Sequence, residues 1–178
     1  MCASCPIPYA IRRYQCGDKP ALLRLIFDIQ QREFNTGLTE TDQPDLQDVQ
    51  ASYRAGGGEF WVAVPPWPTH QDRIVGCIGV QRITHHTGAL RKLFVAPHQR
   101  GTGLARALTD VLFAWARAER MTDIYLGTAP MFHAAHRFYE REGFARMDEA
   151  RLPLGFPRMA IDTRFYHYHL TSHLPPSP

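Results

Sequence analysis

The sequence predicts a mixed α/β (α+β) domain in which helices pack on one central, mostly antiparallel sheet. Apolar residues recur first at helical spacing, then at every second position in three consecutive runs, and then at helical spacing again. Short polar connections join the three runs, which is typical of antiparallel strands that are neighbours in space. A length of 178 residues corresponds to about one domain.

Composition and charge narrow the class of protein. Hydrophobic residues make up 44% of the chain and charged residues 21%, which excludes a largely disordered protein. The formal net charge of +3 is small for a nucleic-acid-binding surface and suits an anionic small ligand at least as well. We therefore expect no nucleic-acid partner. No apolar stretch approaches the ~18 residues of a membrane span, so we expect no membrane partner either.

The cysteines bear on the cellular compartment. No basic segment followed by an apolar run begins the chain, so we expect no secretory signal and a cytoplasmic protein without a disulfide framework. Cys2 and Cys5 form a C-x-x-C, which is half of a metal site, a redox pair or part of a terminal tail. Because no second pair follows at zinc-binding spacing, we predict no metal.

The first half of the chain is predicted to hold two helices and four strands. Leu22, Leu25 and Ile26 mark the apolar face of the first helix, and Gly56 begins the glycine run that ends the second. The predicted elements are a strand at 9–15, helices at about 20–34 and 45–55, and strands at 59–64, 74–84 and 89–95.

The second half is predicted to hold two helices and three strands. An apolar stripe that includes Leu104, Leu108 and Leu112 indicates an amphipathic helix, and Gly143 ends the next one. The predicted elements are a helix from the 100–105 turn to about 120, a strand at 123–128, a helix at 132–142, and strands at 144–152 and 159–170. We predict a single domain over 1–178, with tails at 1–8 and 171–178.

The glycine-rich turn before the third helix predicts an anion site. Gly101 and Gly103 permit positive φ, and a helix N-terminus offers free N–H groups to a diphosphate. A dinucleotide-binding G-x-G-x-x-G fails because Arg106 occupies its third glycine position, and the P-loop G-K-[ST] is absent. The turn instead satisfies R-x-x-G-x-A through Arg100, Gly103 and Ala105.

This R-x-x-G-x-A pattern resembles motif A of the GNAT superfamily of acyl-CoA-dependent N-acetyltransferases. About 30 residues later, positions 135–144 read A-x-x-F-Y-x-x-x-G-F, which resembles motif B of that family. The order of predicted elements from 9 to 170 is also similar. The resemblance implies a GNAT-like fold of about seven strands and four helices packed on both faces, with two neighbouring strands splayed at the cofactor gap.

The resemblance also implies where acetyl-CoA, the acyl donor, would bind. Backbone groups of Leu93, Phe94 and Val95 would pair with the pantetheine arm. The pyrophosphate would be held by backbone N–H groups of the turn. These are the N–H groups of Arg100, Gly101, Thr102, Gly103, Leu104 and Ala105. His136 and Phe138 are further candidate cofactor contacts.

The implied reaction is transfer of the acetyl group from acetyl-CoA to a primary amine, by direct attack within a ternary complex. Tyr139 occupies the position that protonates the departing CoA thiolate in many members. The acceptor would be a small amine or a peptide amine, and the protein a monomer or homodimer. Two alternatives are a non-catalytic acyl-CoA-binding module on the same fold and a nucleic-acid binder that uses the aromatic, basic last strand.

Two departures from the family leave the general base unassigned. Many members carry Glu where this chain has Ala89, and that Glu often serves as the base. Many carry Asn where this chain has Phe132. The second change removes one side-chain contact to the cofactor without removing the pyrophosphate site.

Several other side chains are candidates for the base or for acceptor binding. Glu33 is taken as the catalytic candidate, a base or an anchor for the amine, although a helix-end carboxylate is often merely solvated. Asp42 and Asp45 could bind a cationic acceptor. For Asp45 the preferred role is instead the N-cap of the second helix. The remaining candidates are histidines: His85 and His86 as bases in a turn, and His133 and His136 as an H-x-x-H without a third metal ligand.

Overall fold

A computed structural model describes residues 9–65 and 74–170. The predictions for Cys2 and Cys5, for a loop at 68–73 and for both tails lie outside these described residues.

Seven strands form one mixed sheet in the order β1-β2-β3-β4-β5-β7-β6. All neighbours are antiparallel except β4 and β5, which are parallel. The strands are β1 (Ala10–Arg13), β2 (Glu59–Val64), β3 (Gly76–Arg82), β4 (Thr87–Val95), β5 (Asp123–Thr128), β6 (Ala145–Met147) and β7 (Arg164–His169). The predicted fold class and meander are therefore confirmed.

In the described part of the chain, four helical elements longer than a three-residue turn accompany the sheet. They are α1 (Lys19–Phe27), which continues in wider turns over Asp28–Glu33, a short segment at Gln50–Arg54, α2 (Leu104–Ala118) and α3 (His133–Arg141). An added Cβ at Gly76 would meet Leu104 and Leu108 of α2, whereas one at Gly79 would meet Tyr53 of the Gln50–Arg54 segment. Helices therefore cover both faces, and the core fills the space on either side of the sheet.

The last two strands are shorter than the sequence predicts. Between β6 and β7 the chain makes an irregular connection of sixteen residues, 148–163, which contains Pro153 and Pro157. After β6 the chain forms a helical turn over Glu149–Arg151, and before β7 it forms a turn closed by the hydrogen bond from the Asp162 N–H to the Met159 carbonyl. These turns remove residues from the ladder, so the alternating hydrophobicity there does not extend the strands. This connection brings Asp162 to the sheet.

The N-cap role preferred for Asp45 is wrong. Asp45 lies within the short helical turn Pro44–Leu46, and its side chain makes no cap hydrogen bond. Its carboxylate instead accepts a hydrogen bond from the Tyr53 hydroxyl at 2.7 Å. Asp42 remains on the exposed loop, where it accepts hydrogen bonds from Thr39.

Within residues 9–65 and 74–170, no helix combines the length and the apolar character needed to cross a membrane.

Candidate active site

The parallel strands β4 and β5 separate partway along their length. Their pairing runs from Thr87 opposite Asp123 to Ala89 opposite Tyr125 and stops there. Beyond that point β4 follows β3 as far as Val95, and β5 follows β7 as far as Thr128. A wedge-shaped gap therefore opens at the centre of the sheet.

Backbone geometry explains why β4 turns away. The β3–β4 register shifts between Cys77 and Gly79, which marks a β-bulge. Opposite it, Lys92 adopts a φ of +56°, in the left-handed region that non-glycine residues rarely occupy. Bulges bend a strand and increase its twist, so this one directs the last part of β4 away from β5.

A cavity of about 590 Å³ occupies the gap. It runs from the end of α1, past the separated strands, to the N-terminus of α2 and the side of α3. Its walls come from the segments 29–34, 90–95, 99–106, 127–135 and 138–142 and from Met159, Ile161 and Asp162, although not every residue of these segments contributes.

The turn that begins α2 leaves its N–H groups free of side-chain caps. Gly103, the N-cap residue, has a φ of +91°, and Gly101 has +76°. Positive φ at both positions allows the turn to bring the first N–H groups of α2 to the cavity wall. A helix N-terminus of this kind is an anion site, because unpaired N–H groups and the helix dipole act together.

Most residues proposed from the resemblance line this cavity. They are Glu33, Leu93, Phe94, Val95, Arg100, Gly101, Gly103, Leu104, Ala105, Phe138 and Tyr139. Thr102 does not line it, and its hydroxyl donates a hydrogen bond to the Gln99 carbonyl at 2.7 Å.

His136 lies behind the cavity wall. Arg164 contacts its Nδ1 at 3.1 Å, and its Nε2 lies 3.0 Å from the Ala129 carbonyl. Because arginine can only donate, Nδ1 is the acceptor and Nε2 carries the proton. Burial lowers the pKa of His136 and favours this neutral form. The side chain thereby ties α3 to the segment after β5, while a direct contact to the cofactor stays a prediction.

Tyr139 is a buried side chain on the cavity wall, with 6% of its surface exposed. Its ring packs against Phe138, Phe144 and Tyr166. Burial raises its pKa well above the ordinary value, and the negative charge of Asp162 adds to the effect. The hydroxyl therefore stays protonated at neutral pH, as a proton donor must.

The two family positions that differ in this chain have been filled by nonpolar residues. Ala89 is fully buried in the last β4–β5 pair and supplies no carboxylate. Phe132 packs edge-on against Phe34, with ring centroids 4.8 Å apart, and both line the cavity. Phe132, in contact with Phe34, thus occupies the position for which the resemblance implies an asparagine.

Sequence reasoning missed a polar group at the end of the cavity near α1. The Lys92 ammonium lies 2.6 Å from Gln43 Oε1 and 3.4 Å from Asp45 Oδ1. Gln43 also exchanges two hydrogen bonds with Gln30. Burial lowers the pKa of Lys92 to about 8. One signal was available, the basic pair Arg91 and Lys92 within an otherwise apolar predicted strand.

Asp162 was also missed and completes the cavity wall opposite β4. It is 7% exposed, and its Oδ2 accepts the Met159 N–H at 3.0 Å. Nothing near Asp162 in the sequence marks it as functional, because β7 must first pair with β5 to bring it there.

A sheet that separates beside a glycine-rich helix N-terminus defines the acyl-CoA-dependent transferase class that the sequence resembles. The model of the acetyltransferase (GNAT) family matches residues 23–144, more than half of the chain. The chain therefore belongs to the GNAT acetyltransferase family, and the resemblance is confirmed.

Known proteins of this family are similar over most of the chain. N-acetylaspartate synthetase of Danio rerio is 34% identical over 140 residues, 72% of this chain and 47% of that protein. N-acetyltransferase family 8 member 2 of Rattus norvegicus is 27% identical over 155 residues, 84% of this chain. The crystal structure of a GNAT-family acetyltransferase from Staphylococcus aureus Mu50 has a TM-score of 0.86 at 34% identity, covering 92% of this chain and 100% of that one.

The chain spans 47% and 65% of the length of these two curated relatives. The similarity therefore covers only part of either relative.

Proposed function

We propose that the protein is an N-acetyltransferase that moves the acetyl group of acetyl-CoA to a primary amine. The observation that carries the proposal is the single cavity that joins the β4–β5 gap to the free N-terminus of α2. An extended pantetheine arm needs unpaired strand edges, and a pyrophosphate needs N–H donors. This cavity offers both along one path.

The donor would lie along the second half of β4. Leu93, Phe94 and Val95 line the gap on the edge that β5 has left, where an extended amide chain would lie. The Val95 carbonyl already accepts a hydrogen bond from Arg100 Nε at 3.3 Å. The pyrophosphate would then reach the turn that begins at Arg100. An N–H group at Phe94 or Val95 could also stabilise the thioester oxyanion.

Direct transfer within a ternary complex is favoured over an acetylated enzyme. Among the described residues of the cavity wall there is no cysteine or serine, and Thr128 and Tyr139 are the hydroxyl-bearing members. Cys77 is buried elsewhere, and burial raises the pKa of its thiol to about 12. A thiol of that pKa carries little nucleophilic thiolate at neutral pH.

Tyr139 is the proposed acid for the departing CoA thiolate. It lines the cavity beside the gap, and its hydroxyl is protonated at neutral pH, although the raised pKa makes it a weaker acid than a free phenol. Glu33 remains a candidate for binding the acceptor amine. Both of its carboxylate oxygens are hydrogen-bonded to Arg100, which favours a role at the cavity mouth.

The acceptor is proposed only as a class, a small amine or a peptide amine. The relatives' names support an amino acceptor, one of them for N-acetylaspartate. We also propose a reducing compartment, the cytoplasm, since Cys16 and Cys77 are free thiols.

Calorimetric titration with acetyl-CoA and with CoA tests the proposal. We expect micromolar binding that Gly103→Val abolishes, because valine cannot hold the turn at a φ of +91°. Gly37→Val is the matched control, since Gly37 also has positive φ and open space around it but lies outside the cavity wall. Thiol release with a panel of primary amines then measures transfer.

Two results would contradict the proposal in different ways. Absence of binding to either nucleotide would overturn the cofactor site. Binding without transfer to any amine would leave a non-catalytic acyl-CoA-binding module.

A further inference from the structure

We propose that Asp162 is the catalytic carboxylate that receives the proton of the acceptor amine. The inference rests on the proposed acetyl transfer and names the base that neither the family pattern at position 89 nor any sequence motif supplies.

The position of Asp162 is the first argument. A Cβ added at Gly127 would lie 2.7 Å from Asp162 Oδ2 and 2.9 Å from its Cγ. The carboxyl group therefore rests directly on β5 just beyond the point where β4 and β5 separate. That is the stretch of the cavity in which a thioester on the pantetheine arm would end.

The second argument compares the carboxylates of the cavity wall. Glu33 is bonded to Arg100, and Glu142 lies 3.2 Å from Arg106 Nε. Within the described part of the chain, no Lys, Arg or His nitrogen lies within 4.0 Å of the carboxylate oxygens of Asp162. Among the carboxylates of the described wall, Asp162 is the one that forms no ion pair.

The third argument is the free-energy cost of burying a carboxylate that has no ion-pair partner. A buried carboxylate is normally paired, as Glu59 is with Arg13 and Arg54. The Asp162 carboxylate instead accepts one hydrogen bond, from the Met159 N–H to Oδ2, while Arg158 Nη2 lies 3.5 Å from the backbone carbonyl of Asp162. Carboxyl groups in clefts whose pKa is shifted by burial cluster at functional sites.

The titratable groups around Asp162 and its burial together determine its pKa. Arg91 and Lys92 face it from β4, Arg158 from its own connection and Tyr139 from α3. Burial raises the pKa of Asp162, and the three cations oppose that rise. A raised pKa makes the carboxylate a better proton acceptor, while the cations keep it ionised when the ammonium arrives.

The proton balance of the reaction then closes. The acceptor enters as R–NH3⁺ and gives one proton to the Asp162 carboxylate, directly or through one water. The neutral amine forms the C–N bond at the thioester carbon, and the C–S bond breaks as the tetrahedral intermediate collapses. Tyr139 protonates the thiolate and takes back the proton that the nitrogen loses, and Asp162 releases its proton to solvent.

The test compares Asp162→Asn with the wild type over about pH 6 to about pH 10. The acceptor is the amine of the panel that the wild type acetylates fastest, and thiol release gives kcat/KM. At about pH 7 we expect a loss of about 100-fold, with the Kd for acetyl-CoA within about twofold. The loss should shrink towards the pKa of the amine, where solution supplies the neutral nucleophile.

Asp123→Asn is the matched control. Asp123 is a hydrogen-bonded carboxylate at the start of β5, outside the cavity wall, and we expect wild-type kcat/KM from this variant. Asp162→Ala gives a second route should the Asn variant fail to fold. Its truncation removes the buried charge, and added formate should restore at least about tenfold of the lost rate.

The outcomes separate this inference from the proposed function. Normal activity of Asp162→Asn, a loss that does not change with pH, or failure of formate to rescue Asp162→Ala would overturn the role of Asp162 alone. Absence of transfer by the wild type to every amine would overturn the proposed function and this inference with it.

Discussion

Glu33 and Arg100 form a bidentate ion pair across the mouth of the cavity. Arg100 Nη1 lies 2.5 Å from Glu33 Oε1, and Nη2 lies 2.7 Å from Oε2. The pair connects the end of the helical turns that follow α1 with the first residue of the glycine-rich turn. It therefore holds a carboxylate beside the region where an anionic cofactor would bind.

Removal of this negative charge is expected to strengthen cofactor binding. Glu33→Gln should lower the Kd for CoA about threefold at low salt, because like-charge repulsion disappears and Arg100 gains an uncompensated charge. The advantage should fade as salt screens both charges. Arg100→Gln is the companion variant and should weaken binding. Calorimetry at two salt concentrations measures both, and weaker binding by Glu33→Gln would contradict this account.

Tyr139→Phe is expected to slow turnover without weakening the complex. Phenylalanine keeps the packing against Phe144 and Tyr166 and removes only the acidic proton. We expect kcat to fall about 100-fold or less, since CoA thiolate is a fair leaving group, while the Kd for acetyl-CoA stays constant. Thiol release measures turnover, and an unchanged kcat would exclude Tyr139 as the acid.

The fold follows from local patterns to a large extent. Period-two runs at positions 59–64 and 89–95 became β2 and most of β4, and the apolar stripe through Leu108 became α2. The short strand β6 and the long connection before β7 were not predictable in this way. Their boundaries depend on which residues find a partner strand, and the turns at both ends of the connection take residues out of the ladder.

Some residues of the candidate site could likewise be predicted from local sequence, and others could not. The turn from Arg100 to Ala105 is a local motif, so its residues could be chosen from the sequence. Lys92 and Asp162 gain their importance from residues far away in the chain, and their burial and surroundings arise only when the sheet forms. The pairing of Glu33 with Arg100 is likewise a contact between positions 67 residues apart.

Gly79→Ala is expected to destabilise the fold. An added Cβ would lie 2.6 Å from Phe60 Cδ2 and 2.6 Å from Tyr53 Cε1, and both rings are fully buried. Overpacking of this kind costs about 1–3 kcal/mol in the free energy of unfolding. Gly17→Ala is the control, because nothing lies within 4 Å of its Cβ position. Urea unfolding measures both variants, and equal stabilities would contradict the packing described for β3.

The burial of Lys92 is expected to make stability depend on pH in the alkaline range. Its pKa falls from 10.5 to about 8 on folding, chiefly because burial penalises the charge. Between these values the unfolded chain binds more protons than the folded one, so the free energy of unfolding must rise with pH. Each unit of difference in pKa changes the free energy of unfolding by about 1.4 kcal/mol. The increase therefore approaches a few kcal/mol once Lys92 is deprotonated in both the folded and the unfolded chain.

Lys92→Met isolates this effect from other titrating groups. Methionine keeps the apolar stem and meets the same backbone strain at a φ of +56°, so the two proteins differ mainly in the titrating ammonium. Urea unfolding from about pH 7 to about pH 10.5 should show wild-type stability rising relative to the variant as the pH increases. Parallel curves would mean that the ammonium of Lys92 is as well solvated in the folded protein as in the unfolded chain, and the polar group around Asp45 and Gln43 would then be open to water.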